Sequence, residues 1–387
     1  MERAYPCEFC NLALGRSYEV CHHSCLFVCI RGLPFICVHL RLDSFPVSMN
    51  SAESTETASH PRRIEAAKVL RLARDFGPLV ALVLLVILGW ALNPNFTSWT
   101  NLSNVLTRSA FIGIISVGAT FVIVSGEIDL SVGAMAAFIA SLMIIVVNHV
   151  AETTGNLPLA VTAGLGAGLV IGLLTGLGNG LLVTRGKIDS FIVTLGTMGI
   201  FRSLVIFVCN GGTLTLNSDV REAFRPIYYD AWLNVPIPVW ILAAVAIAGA
   251  IVLAKTRFGR YCRAVGSNSE VAFYSAIRVD RIRLVAFVVQ GFCVSLATVL
   301  YVPRLGSASY GTALGGELEA ITAVVVGGTA LRGGYGRVWG SIAGALILSL
   351  IGNILNLTSI ISVYLNGTVQ GLIILGAALL QRGSRKR

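Results

Sequence analysis

The chain is expected to be an all-α integral membrane protein with about ten transmembrane helices, and three observations carry that expectation. Of its 387 residues, 55% are hydrophobic and 12% are charged, with a mean hydropathy of +0.79. The apolar residues arrive in runs of roughly 18 to 25, the length that crosses a hydrocarbon core. The basic residues lie in short segments between those runs. A formal charge of +10 would suggest nucleic acid in a soluble protein, but here the placement of Lys and Arg sets membrane topology instead.

Taken in order, the spans fall at 77–92, 104–125, 130–150, 157–183, 190–209, 236–254, 284–302, 317–331, 338–356 and 361–380. An even number leaves both termini on one side. The segments on that side carry Arg62, Arg63, Lys68, Arg71 and Arg74, then Arg185 and Lys187, then a dense cluster over 255–283, then Arg332 and Arg337, and finally Arg382, Arg385, Lys386 and Arg387. Loops 93–103 and 148–156 are almost free of Lys and Arg, so the positive-inside bias makes both termini and the 255–283 loop cytoplasmic. Two spans are irregular: the second carries Arg108, and the eighth is short and rich in Gly and Thr. Either can be broken or re-entrant where it lines a protein site.

Each element has a local reason. Asn93 and Pro94 end the first span, and Trp99 sits in the following loop as an interfacial anchor. The fourth span repeats glycine at Gly164, Gly168, Gly172, Gly176 and Gly180, which lets another helix backbone approach closely. A four-residue step overshoots a turn by about 40°, so this stripe winds and can serve more than one neighbour. Asn179, an amide in that apolar setting, either faces a cavity or bonds across helices.

Residues 1–48 differ from the rest. Six of the nine cysteines lie there with His22, His23 and His39. Only Cys7 and Cys10 have a ligand-like spacing with no second pair, so a metal site is not expected and the segment reads as an atypical extension outside the working protein. No small-residue cleavage site follows the apolar stretch 26–38, which argues against a signal peptide. A polar, basic cytoplasmic lead follows at 49–76, then a transmembrane domain at 77–380 and a basic cytoplasmic tail at 381–387.

Glu127 and Asp129 are the notable carboxylates at a membrane boundary, with Ser131 spaced as an N-cap. Helix capping, a polar gate for substrate hydroxyls and a proton relay all remain open for them. Candidates to line a path through the protein are Glu127, Asp129, Ser131, Asn179, Thr194 and Thr197. The segment Ser125 to Gly133 also resembles Leu314 to Thr322 in placing acids at a helix entrance, as two repeated halves would. Phosphate-loop, zinc-protease and serine-hydrolase motifs are absent, so the chain is not expected to be an enzyme or to hold a cofactor, and any ATP must be used by another chain. The 255–283 segment contains a short helix, Ser269 to Ile277, capped by Asn268 or Ser267, which can meet a partner groove or the lipid surface.

Glu270-Val271-Ala272 followed by Ser275-Ala276-Ile277 and Val279-Asp280-Arg281 resembles the coupling segment of ribose-type sugar permeases of ABC importers. Gly126 to Gly133, Ser190 to Thr197 and Ala323 to Thr329 are similar to other stretches recurrent in that family, in the same order, over about 77–380. The resemblance implies a sugar-transporting permease in the bacterial inner membrane, paired with a second copy, bound to cytoplasmic ABC ATPase subunits and fed by an extracytoplasmic sugar-binding protein. It also implies ATPase coupling through Gly266, Asn268, Glu270, Ala272, Ser275, Ala276, Ile277 and Asp280. Ala276 and Val271 depart from the family's usual Gly and Ala, which bears on the turn that ends the coupling helix. An ion-gradient-driven secondary transporter or facilitator is the alternative, and it would want acid and base pairs in mid-span.

Overall fold

Hydrocarbon offers a peptide group no hydrogen-bond partner, so a chain this apolar must close its backbone bonds within each segment. The computed structural model describes residues 61–358 continuously and single positions or short stretches between 365 and 376, with side chains placed from residue 77. The Cys-rich extension with Cys7 and Cys10, the start of the polar lead, most of the tenth span and the 381–387 tail lie outside the described residues.

The helices are α1 (Pro61–Leu92), α2 (Trp99–Val124), α3 (Val132–Thr154), α4 (Leu157–Thr184), α5 (Ser190–Val208), α6 (Ser218–Tyr229), α7 (Ile237–Lys255), α8 (Arg257–Ser267), α9 (Ser269–Tyr274), α10 (Val279–Leu305), α11 (Gly316–Val326) and α12 (Val338–Thr358). A single 3-10 turn at Pro94–Thr97 and four short strands are the other regular elements among the described residues: β1 (Thr213–Thr215), β2 (Ala231–Trp232), β3 (Val235–Pro236) and β4 (Ser307–Ser309). Among the described residues, seven helices, α2, α3, α4, α5, α7, α10 and α12, are long and apolar enough to cross a bilayer, and the shorter apolar stretch Gly77–Leu92 closes α1. The protein is therefore a multi-pass membrane protein.

The two irregular spans resolve differently. The second is one unbroken helix, α2, whose Arg108 is exposed near its start. The eighth is the 11-residue α11, about 16 Å long at 1.5 Å per residue and too short to cross. Its first turn abuts Gly133, where an added Cβ would meet the Glu317 carboxylate and the Ala313 carbonyl. Loop 306–315 thus enters the bundle, and α11 is the half-helix of a broken span that leaves at the other end, where Gly334 meets Val124.

The core forms around α2, with Ile114, Val122 and Val124 fully buried. The glycine stripe of α4 winds as its spacing predicts. Gly164 faces Val147 of α3, Gly168 faces Val299 of α10 and Met143 of α3, and Gly172 and Gly176 meet Gly291 of α10. A Cβ on Gly176 would lie 2.9 Å from the Gly291 Cα, so α4 and α10 touch backbone to backbone.

The loops after α2, α4, α7 and α11 meet at one end of the bundle, the end rich in Arg and Lys. At the opposite end β1 pairs antiparallel with β4, and Asn148 Nδ2 donates to the Thr215 carbonyl at 2.8 Å.

Candidate functional site

Two corrections define the basic end. The 255–283 segment is not a loop around one small helix: α8 occupies its first part, burying Gly259, Cys262 and Val265 on one face while Arg257 and Arg260 point outward. Phe258 stacks on Phe121 of α2 at 5.8 Å, which fixes α8 to the central helix. Burial pushes the Cys262 thiol up to about 12. The second helix, α9, is shorter than expected and ends at Tyr274.

Asn268 caps α9 as predicted, its Oδ1 accepting the Glu270 and Val271 N–H groups, both at 3.0 Å. Ala272 is buried, whereas Val271, Phe273 and Tyr274 are 59%, 66% and 86% exposed. The helix ends in a Schellman arrangement: Ile277 N–H donates to Ala272 at 3.1 Å and Ala276 N–H to Phe273 at 3.0 Å. Ala276 therefore occupies the left-handed position, with φ +60°, where glycine is the usual choice. The departure from the family's glycine falls on the one residue of this turn that pays a Cβ penalty.

Gly266, in the last turn of α8, sits in a backbone junction. A Cβ there would collide with the Val124 carbonyl and lie 2.6 Å from the Gly334 amide nitrogen. Gly334 N–H donates to Val124 O at 2.9 Å. Gly126, Gly333 and Gly334 all have positive φ, at 88°, 83° and 78°, and a Cβ on Gly333 would approach the Cα atoms of Gly126 and Gly266 at 2.8 and 3.0 Å. The loops after α2 and α11 and the last turn of α8 are thus held in backbone contact through Gly126, Gly333 and Gly266.

Just beyond that junction lie the predicted path residues. Arg283 Nε is 2.6 Å from Glu127 Oε1, a largely buried ion pair, and Lys187 Nζ is 2.6 Å from Asp280 Oδ2, an exposed one. Both pairs grip the start of α10, through its second and fifth residues. Asp129 Oδ1 accepts the N–H and hydroxyl of Ser131 at 2.9 and 2.7 Å, and Asn179 Nδ2 donates to Ser131 Oγ at 2.8 Å. Ser131 makes no side-chain cap bond to α3, so the capping reading is corrected: its hydroxyl joins Asp129 to α4 instead. Ile128 N–H donates to Ser190 Oγ at 3.3 Å, and Thr194 Oγ1 donates to Ser190 O at 2.7 Å. Burial raises the Asp129 carboxyl above its usual range, and the Ser131 bonds pull it partly back.

The structure therefore gathers Glu127, Asp129, Ser131, Asn179 and Thr194 around one extended segment, 126–131. Thr197 stands apart from that cluster but shares with Asn179 and Thr175 a groove between α3, α4 and α5, of about 410 Å³ and otherwise apolar.

Sequence reasoning missed Arg202. It lies 12 residues past Ser190, about 18 Å along α5, and donates from Nη1 to the carbonyls of Tyr310 (2.6 Å) and Thr312 (2.8 Å) and from Nη2 to that of Ala313 (3.3 Å). These bonds hold the loop that carries α11 inside the bundle. The available signal was an arginine inside an apolar run, which in a membrane is expensive unless used. Gly333 and Gly334 form a turn whose neighbours, Val124, Gly126 and Gly266, lie far away along the chain.

Comparison with known proteins agrees with this architecture. Residues 101–378 match the family model described as "Branched-chain amino acid transport system / permease component". The ribose import permease protein RbsC of Haemophilus influenzae is 37% identical over 301 residues, covering 78% of this chain and 90% of the relative. Its namesake in Bacillus subtilis is 38% identical over 310 residues, covering 80% and 93%. The L-arabinose transport system permease protein AraH of Escherichia coli is 33% identical over 316 residues, covering 82% and 93%. With a bundle of spanning helices, a half-helix held inside it and a match over most of its length, this chain belongs to that family of membrane transport permeases.

Proposed function

We propose that the chain is the membrane subunit of an ATP-binding-cassette importer that moves a monosaccharide or related polyhydroxylated solute inward, as one of two paired copies. The basic end is its cytoplasmic face, where separate ATPase subunits dock, and an extracytoplasmic binding protein delivers the solute to the other. The observation that carries this reading is α9. A six-residue helix at the basic end, beyond the spans, turns Val271, Phe273 and Tyr274 outward, and exposed apolar side chains outside the bilayer call for a protein groove. The relatives' names, ribose and L-arabinose permeases, support a sugar as the solute.

The contacts supply a route for coupling. Movement of α9 passes through Gly266 to the Val124–Gly126 backbone and through the start of α10 to Glu127 and Lys187. Both routes end at segment 126–131, so displacement there would rearrange Asp129, Ser131 and Asn179. A bistable packing of this kind is what ATP must bias.

The Arg202 site favours a second reading only at first sight. Glu317 lies within its electrostatic reach, as an ion-driven carrier would want, but the Arg202 donors are committed to three backbone carbonyls, which is a structural use.

Reconstitution with and without a cognate ATPase and binding protein tests the proposal. Uptake of labelled ribose or arabinose should require all three components and ATP. Uptake by the chain alone on a proton or sodium gradient would sink it.

A further inference from the structure

Asp129 and Asn179 are 5% and 1% exposed, and each leaves one oxygen without a hydrogen-bond partner: Asp129 Oδ2 and Asn179 Oδ1. Both flank a single hydroxyl, Ser131 Oγ, whose proton goes to Asp129 and whose acceptor capacity is met by Asn179 Nδ2. Two buried acceptors in want of donors are costly to leave unmade. Arg283 is engaged with Glu127.

We propose that Asp129 and Asn179 form a paired acceptor subsite for the hydroxyl groups of the translocated solute, an inference that rests on the importer reading above. The chemistry favours a neutral, donor-rich ligand. A phosphate or carboxylate would meet the Asp129 carboxyl and the Asn179 carbonyl, two acceptors, whereas a polyol hydroxyl supplies the missing proton. Access runs through Asn179, which also lines the groove of about 410 Å³ with Thr175 and Thr197, a size ordinary for small-ligand sites. A solute in that groove meets two threonine hydroxyls and Asn179, behind which the Ser131 hydroxyl joins Asn179 to Asp129. Because a subsite built to receive a hydroxyl leaves its own groups unpaired when the hydroxyl is missing, it discriminates against deoxygenated analogues.

The test uses the full chain with its ATPase and saturating binding protein in proteoliposomes. Ribose and its singly deoxygenated analogues are compared, with binding-protein affinities measured separately. The unaltered protein should prefer ribose over at least one analogue at saturation. Asp129→Asn keeps the shape and the bond to Ser131 but replaces the unpartnered acceptor with a donor that can pair with Asn179 internally. It should lower ribose uptake at least about tenfold, in line with the loss of one buried hydrogen bond, and collapse that preference. Asn179→Leu should do the same, and where it fails to co-purify with the ATPase, Asp129→Asn decides alone. Unchanged uptake overturns the proposal, and so does an equal loss for every sugar with the preference intact, the signature of a packing role. Uptake that follows sodium concentration instead of hydroxyl number overturns it in favour of a cation. Absence of ATP-driven uptake by the unaltered protein fells the importer reading itself.

Discussion

The Gly334 amide donates to the Val124 carbonyl at 2.9 Å, tying the loop that follows the half-helix α11 to the last residue of the central helix α2. The bond is possible because nothing intervenes: Gly266 lies against the same carbonyl, and no residue with a Cβ fits there. Three segments distant in sequence consequently share one rigid point.

Gly266→Ala should break that point. A methyl group forced against backbone costs roughly 1–3 kcal/mol, and the cost cannot be relieved by a rotamer change. Because α9 keeps its Asn268 cap and exposed face, ATPase co-purification should persist while ATP-driven uptake falls by about tenfold or more. Full uptake by Gly266→Ala would remove the junction from the coupling route.

The ion pairs at the start of α10 should differ in worth. Glu127 and Arg283 are shielded, with side-chain exposures of 10% and 27%, while Lys187 and Asp280 are open, at 67% and 56%. A double-mutant cycle on Glu127→Gln and Arg283→Gln should give a coupling energy of about 1–3 kcal/mol in thermal unfolding. The same cycle on Lys187→Ala and Asp280→Ala should give under about 1 kcal/mol and vanish in high salt. Equal values for both pairs would contradict the burial argument.

Ala276→Gly should stabilise the α9 turn. At φ +60° alanine carries a penalty of about 1 kcal/mol that glycine does not, partly offset by glycine's freer unfolded chain. The expected gain is about 0.5 kcal/mol, read as slower amide exchange at Ala276 and Ile277. Faster exchange would mean that the left-handed turn is not populated.

Cys262 should resist thiol reagents. Burial holds its thiol at about 12, well above the ordinary 9.0, so thiolate is scarce at neutral pH and the reactive form is the thiolate. Since the folded value is the raised one, the thiol's contribution to stability is full below pH 9 and is lost as pH climbs toward 12. Maleimide labelling at pH 7.5 should be negligible in the folded protein and rapid after unfolding. Brisk labelling of the folded protein would place α8 away from α2.

Much of this architecture is legible in the sequence because hydrocarbon allows so few solutions. The long spans and the winding contact of the Gly164 to Gly180 stripe follow from run length and a four-residue step. What was not legible depends on partners distant along the chain. Ser131 has the spacing of an N-cap, yet its hydroxyl is taken by Asp129 and by Asn179, which α4 brings within reach. Glu127 gives no sign in its own neighbourhood that Arg283 will meet it. The helix α8 was hidden because Arg257, Arg260 and Arg263 make its sequence look like a solvated loop, although Gly259, Cys262 and Val265 repeat at helical spacing. Arg202 was overlooked because one charge barely alters the hydropathy of a 19-residue helix.

The brevity of α11 also bears on how the protein is made. A segment of 11 residues with Glu317 and Glu319 in its first turn is too short to be held across a bilayer by insertion machinery on its own. Its place exists only once the flanking long helices have been delivered to the membrane and α5 offers Arg202 to the incoming loop. Seating α11 is therefore a late step in biogenesis, and defects in α2, α3 or α5 should show themselves first as a half-helix left outside the bundle.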